Sequence, residues 1–172
     1  MKIISQYLEK TVKFCRVLIT SSPILKVFWK NMLKVYRLNF DDDKFADVRQ
    51  VRNDVFVVEQ GVSESDEHDD FDFLARHYLI TKNDVSCGVA RWRNTDEGVK
   101  LERFAVLAKF RGSGIGKRLV EEVLKDVLPM KQKIYLHAQI QTFDFYQNLS
   151  FVKDGGIFEE AGIKHYKMTF IP

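Results

Sequence analysis

Residues 101–120 read LERFAVLAKFRGSGIGKRLV. An apolar run gives way to three glycines at alternate positions, Gly112, Gly114 and Gly116, and then to charged, helix-favouring residues. The run is apolar on both faces at its centre, as expected of a strand buried on both sides. The segment after the glycines, IGKRLVEEVLKDVLP, places Ile115, Leu119, Val120, Val123, Leu124 and Val127 on one helical face and stops at Pro129. The glycines therefore lie in a strand-to-helix turn. The first amides of such a helix have no partner within it and point one way, with the positive end of the helix dipole behind them. Without a Cβ in the path, a diphosphate can approach those amides. Each charge-assisted hydrogen bond is worth roughly 1.5–3 kcal/mol, so a few suffice for micromolar binding.

Two common phosphate-binding signatures fail. A P-loop has four residues between its first glycine and Gly-Lys, followed by Ser or Thr; here three residues separate Gly112 from Gly116, and Arg118 follows Lys117. A dinucleotide fingerprint has the spacing GxGxxG, and this loop has GxGxG. What remains is Arg-x-x-Gly-x-Gly, formed by Arg111, Gly114 and Gly116.

Outward from this loop, LKVYRLNF alternates as a first strand. Phe45, Val48, Val51, Val55 and Phe56 recur at helical steps up to Gly61. VSESDEHDDFDF reads as a solvated acidic loop, without the spacing or glycine of a calcium-binding loop. HYLITKNDVSCGVARWR reads as a hairpin turning at Asn83-Asp84, KIYLHAQI as a strand, TFDFYQNL as a short helix, and SFVKD with IKHYKMTF as a final strand pair. The order predicts an α/β domain with a mixed central sheet of about six to seven strands flanked by helices. It occupies residues 32–172, preceded by an extension at 1–31.

The 172 residues carry a net charge of +3, distributed unevenly. Residues 1–37 hold eight Lys or Arg and one acid, which leaves a net −4 on the remainder. The body has no basic stripe for nucleic acid. In the extension, Val12, Cys15, Leu18 and Ile19 recur at helical spacing with basic residues opposite, as in a basic amphipathic helix. Such a helix is the one route to membrane contact, because the longest apolar run there is three residues. The alternatives are a helix docked on the domain or codons upstream of a start at Met32. Two isolated cysteines, Cys15 and Cys87, give no disulfide framework and suit a reducing, cytoplasmic compartment.

The stretch LERFAVLAKFRGSGIGKRLV resembles motif A of the GNAT N-acetyltransferase superfamily, and FYQNLSF resembles its motif B. VRNDVFVVEQGVSESDE and LHAQ…FYQNLSF…GIKHYKM resemble the small bacterial acetyltransferases related to ElaA. The resemblance covers residues 33–170 and implies a GNAT fold with acetyl-CoA as acyl donor and no metal. It assigns the diphosphate to Arg111, Gly112, Ser113, Gly114, Ile115, Gly116 and Lys117, and the pantetheine arm to the backbone of Phe104, Ala105 and Val106. The Phe104 N–H would polarise the thioester carbonyl. The implied acceptor is a primary amine on a small molecule, and the family's frequent dimers make a homodimer an expectation. Arg52, Glu59 and Gln60 fall in the region that borders the acceptor site in GNATs. The implied alternatives are a non-catalytic acyl-CoA-binding sensor and an amino sugar phosphate N-acetyltransferase.

An amine of pKa ~10.4 is almost wholly protonated at pH 7, so a proton acceptor is useful. Glu102, ionisable in an apolar strand, reads either as that base or as the partner of Arg103 or Arg91. Tyr146 lies where GNATs place the group that assists the leaving thiolate, and it also continues a packing stripe with Phe143 and Leu149. His137 and Gln139 share the face of their strand that looks towards the cleft. Gln139 reads as a substrate contact and His137 as a structural histidine. His77 and His165 share no metal-ligand spacing with it.

Overall fold

The computed structural model describes residues 33–172, so Cys15 and the extension read as an amphipathic helix lie outside the described residues. The chain forms β1 (Leu33–Leu38), α1 (Phe45–Arg52), a wide π-helical stretch (Asn53–Glu59), α2 (Glu64–Glu67), β2 (Arg76–Lys82), β3 (Val85–Thr95) and β4 (Gly98–Val106). It continues through α3 (Ile115–Val127), β5 (Ile134–Gln139), α4 (Phe143–Gln147), β6 (Phe151–Glu160) and β7 (Ile163–Phe170). The seven strands form one mixed sheet in the order β1-β2-β3-β4-β5-β7-β6. The fold is that of the predicted class, helices packed on both faces of a mixed sheet.

Local chemistry accounts for the hairpins. Asn83 and Asp84 both take positive φ, as do Ala161 and Gly162, so two tight turns match the twist of the strands they join. Among the described residues only β4 and β5 run parallel, because α3 crosses between them. The buried face of α3, with Leu119, Val120, Val123 and Val127, packs against Leu101, Leu136 and Met168. Val48, Val51 and Val55 pack with Leu79, Val89 and Ala105 on the other face. Each such side chain removed from water contributes about 1.5–3 kcal/mol.

The helix expected to run unbroken to Gly61 is α-helical only as far as Arg52 and then widens. The Gln60 N–H bonds the Val55 carbonyl five residues back, a π-type ring. The acidic segment 62–73, read as solvated, is mostly exposed, but two of its acids turn inward. Glu67 and Asp72 are buried, and Ser63 caps α2 by accepting from the Asp66 N–H at 3.1 Å. Buried arginines explain the difference. Arg52 donates to Asp72 at 2.7 Å and also to Glu67, while Arg91 donates to Asp72 at 2.7 Å and to Asp69 at 2.5 and 2.7 Å.

Gly98, which opens β4, combines φ +138° with a backbone so close to Lys133 that a Cβ would lie 2.3 Å from its carbonyl oxygen. That carbonyl accepts from the Val99 N–H at 2.8 Å, at the start of the parallel contact. Gly98→Ala is expected to cost more than about 2 kcal/mol in urea unfolding, because both the dihedral and the close approach must give way.

Candidate functional site

The parallel pairing of β4 with β5 covers three residue pairs, Val99 with Ile134, Lys100 with Tyr135 and Leu101 with Leu136. Beyond Leu101 the strands part. β5 stays paired with β7 as far as Gln139, and β4 stays with β3 as far as Val106. On the β3 side a bulge sets Arg103 and Phe104 opposite Ala90 alone, with Arg103 at φ +56°. Phe104 thus has no register partner on either neighbouring strand. Its backbone lies at the edge of a cleft of about 860 Å³ that opens where the strands separate.

Glycine-rich geometry lies at one end of this cleft. Gly114 caps α3 in the left-handed conformation with no side chain satisfying the helix end. The first helical bond runs from the Arg118 N–H to the Gly114 carbonyl, so the amides of Ile115, Gly116 and Lys117 precede the ladder. Gly112 and Gly114 have φ of +72° and +84°, and open space lies where each Cβ would stand. These features suit an anion held by backbone, so the residues present fit a CoA diphosphate. The Ile115 side chain is buried in the core, Ser113 Oγ donates to the Phe110 carbonyl at 2.5 Å, and Lys117 is exposed on α3. For Ile115, the amide alone is available to a ligand.

Arg111 bridges the loop to both sides of the cleft. Its Nε donates to the Val106 carbonyl at 2.9 Å, and its two Nη atoms donate to the Glu59 carboxylate at 2.6 and 2.7 Å. The hydrogen bonds from Arg111 hold the Glu59 carboxyl below its ordinary range. A diphosphate at the loop would compete with Glu59 for the same guanidinium. The pair is largely exposed, so such an exchange costs little.

Glu59, Gln60 and Gln139 all line the cleft, and the Gln139 amide donates to Gln60 Oε1 at 2.9 Å across the parted strands. Arg52 does not line it. Its side chain is 1% exposed and bound to Glu67 and Asp72, out of a substrate's reach. A structural rather than acceptor-facing place was legible in its spacing, since it follows Val48 by four residues and precedes Val55 by three on the core face of α1.

Glu102 also lines the cleft, in the company of cations. One carboxylate oxygen lies 2.7 Å from Arg93 Nε and 3.0 Å from Arg91 Nη2, and the other lies 3.5 Å from Lys100 Nζ. Of the two arginines weighed as ion-pair partners, Arg91 is engaged. Arg103 turns away to Glu67 and Asp69, at 2.9 and 3.0 Å. Arg93 and Lys100 complete a cluster that pattern reading missed.

Tyr146 is buried beside the cleft, its ring edge-on to Phe104 at 6.2 Å and to Phe151 at 5.8 Å. Burial alone holds its phenol well above the ordinary value. Cys87 is buried and its thiol is pushed up to about 11 by desolvation, which makes it an inert core residue. Among the described residues no group of three or more His, Cys, Asp or Glu is placed to hold a metal ion, and no helix is long and apolar enough to cross a membrane.

A mixed seven-stranded sheet, parted at its one parallel pair beside a glycine-capped helix, defines an acyltransferase of the GNAT class. Residues 48–171 match the family model described as the acetyltransferase (GNAT) domain, and the chain belongs to that family. It is 38% identical over 126 residues to the uncharacterized protein YyaT of Bacillus subtilis, covering 70% of this chain and 84% of that one. It is 36% identical over 127 residues to the protein ElaA of Escherichia coli, covering 70% and 82%. The crystal structure of E. coli ElaA superposes with a TM-score of 0.73, at 29% identity over 81% of this chain and all of that one. An acyl-CoA N-acyltransferase from Pseudomonas aeruginosa shares the fold at a TM-score of 0.73 and 23% identity, over 81% of this chain and 100% of its own.

Proposed function

We propose that the chain is an N-acetyltransferase that moves the acetyl group of acetyl-CoA to a primary amine on a small molecule. The observation that supports this most is the parting of β4 and β5 beside the glycine loop. One cleft thereby presents an unpaired backbone edge and, at its end, free helix amides. Acetyl-CoA supplies an activated acetyl thioester. The amides of Ile115, Gly116 and Lys117 hold its diphosphate, and the backbone of Phe104, Ala105 and Val106 lies along its arm. The Phe104 N–H donates to the acyl oxygen as charge gathers there. Holding both substrates in one cleft supplies much of the rate, so no covalent enzyme intermediate is needed. The mildly acidic body favours a cationic acceptor, and the isolated thiols suit the cytoplasm.

Tyr146 assists the leaving sulfur. Its desolvated phenol stays protonated at neutral pH and donates a hydrogen bond to the sulfur as negative charge develops. Tyr146→Phe is expected to lower kcat more than about tenfold with little change in acetyl-CoA affinity, as read by steady-state kinetics and calorimetry. An unchanged kcat removes the phenol from the chemistry. The function itself is tested by a thiol-release screen of amines with acetyl-CoA. Turnover with an amine and detection of its N-acetyl product support it. Acetyl-CoA binding with no turnover across the panel would point instead to an acyl-CoA sensor.

A further inference from the structure

The acceptor amine must lose a proton before it can attack, and Glu102 is poorly suited to take it. Its oxygens are already taken up by Arg91, Arg93 and Lys100, at 2.7–3.5 Å. A second candidate faces the cleft from the other strand. β5 leaves the parallel ladder at Leu136, and the next residue is His137. Leu136 and Ala138 point into the core under α3, so the strand's alternation sends His137 to the same side as Gln139, which reaches Gln60 across the gap. His137 Nδ1 lies 2.8 Å from Glu160 Oε2, and the ring packs edge-on against Phe158 at 4.7 Å. Glu160 in turn lies 3.7 Å from Lys100 through its other oxygen.

Of the other three histidines, His77 is buried against the Asp72 carbonyl and His68 does not line the cleft. His165 also lines the cleft, but its ring is buried and stacked on Phe158, and its Nδ1 meets the Ile163 carbonyl rather than a carboxylate.

Resting on the acetyltransferase reading, we infer that His137, oriented by Glu160, is the base that deprotonates the acceptor amine, and that Glu102 serves to hold β3 and β4 together. An ionised Glu160 selects the tautomer with hydrogen on Nδ1, which leaves the Nε2 lone pair to receive a proton. The hydrogen bond from His137 is the main reason the Glu160 carboxyl is lowered to about 2, so it is ionised throughout the working range.

The balance of the reaction follows. The ammonium gives one proton to Nε2, and its nitrogen then bonds the acetyl carbon. The carbon–sulfur bond breaks with its electron pair on sulfur, which ends as a thiol carrying the amine's second proton. The imidazolium, paired with Glu160, releases the first proton to water after product leaves. Charged or titratable neighbours of His137 are Tyr135 on β5, Glu160 and Asp154 on β6, His165 and Lys167 on β7, and Lys100 and Glu102 on β4.

The test compares wild type, His137→Asn and Glu160→Gln with the best amine from the thiol-release screen. The Asn amide can still donate to Glu160 but offers no basic nitrogen. His137→Asn is expected to lower kcat/KM for the amine by about 100-fold or more at pH 7, with partial rescue by added imidazole. Acetyl-CoA affinity by calorimetry should stay within about threefold, since His137 is outside the diphosphate loop. Glu160→Gln is expected to lower kcat/KM for the amine by about tenfold or more and to weaken the preference of His137 for the Nδ1–H tautomer in 15N NMR, because the carboxylate that fixes that tautomer is gone. In the free wild-type protein, 15N NMR should show His137 as the Nδ1–H tautomer. A His137→Asn rate within about threefold of wild type, or an Nε2–H tautomer, overturns the assignment while leaving acetyl transfer standing. If the wild type turns over no amine at all, the acetyltransferase reading falls, and the base assignment with it.

Discussion

Replacing Gly114 by valine is expected to abolish acetyl-CoA binding while leaving the sheet and helices in place. Gly114 caps α3 at φ +84° and ψ −2°, a conformation that a β-branched residue adopts at a cost of roughly 1–3 kcal/mol. No atom lies within 4 Å of where its Cβ would be built, so nothing in the core is displaced. The added side chain stands instead in the open space before the amides of Ile115, Gly116 and Lys117, where the proposed function seats the diphosphate. Strain and obstruction act in the same place. Calorimetry should detect no binding at millimolar acetyl-CoA, and far-UV circular dichroism should match wild type. Gly155→Val is the control. It imposes a comparable strain at φ +100° on β6, outside the cleft lining, and should leave binding intact. Binding that survives Gly114→Val would place the diphosphate elsewhere and remove the foundation of the proposed function.

The second large effect concerns stability. Arg52→Ala is expected to cost about 3–5 kcal/mol in urea unfolding, because it strips a partner from the buried Glu67 and Asp72 and leaves their charge uncompensated. Arg52→Met, which keeps the apolar stem, should recover only the packing part of that loss. The damage would extend beyond stability. The segment these arginines hold also supplies Asp69 and Glu67 to Arg103, the residue whose positive φ forms the bulge beside Phe104.

The same network sets an acid limit. Burial raises the Asp69 and Asp72 carboxyls, but Arg91 at the first and Arg52 with Arg91 at the second outweigh it, so both titrate below their ordinary range. A depressed folded-state pKa gives stability that is fully present above the unfolded value of ~3.9 and is lost as pH falls through the folded values. The wild type should therefore lose stability gently below about pH 6.5, where burial keeps His77 and His165 from taking the protons their unfolded forms bind, and steeply below about pH 4. A variant lacking Arg52 should lose much less over that last interval.

Reading by pattern was most successful where one short stretch carries the whole physical requirement. Alternation placed β1, β2 and β3, and the 3.6-residue period placed α3 with its buried Leu119, Val120 and Val123. The loop in front of α3 was legible because positive φ and exposed amides demand glycine, whatever surrounds them. Pattern reading was weaker at the charged residues. Arg52, expected beside the acceptor, and Glu67 with Asp72, expected in solvent, are two halves of one buried network. A carboxylate looks the same in sequence whether water or a guanidinium 20 residues away will face it. The pairing of His137 with Glu160 was hidden for the same reason, since Glu160, on β6, lies 23 positions along the chain.

The chain's own pattern of glycines, strand alternation and helical period was enough to determine the sheet-and-helix architecture and the glycine turn before α3, because each depends on near neighbours in sequence. Tertiary structure alone decided where the strands part, which acids are neutralised by buried arginines, and which side chains face one another across the cleft. Those outcomes depend on distance and dielectric between residues far apart in the chain, and only folding sets those quantities.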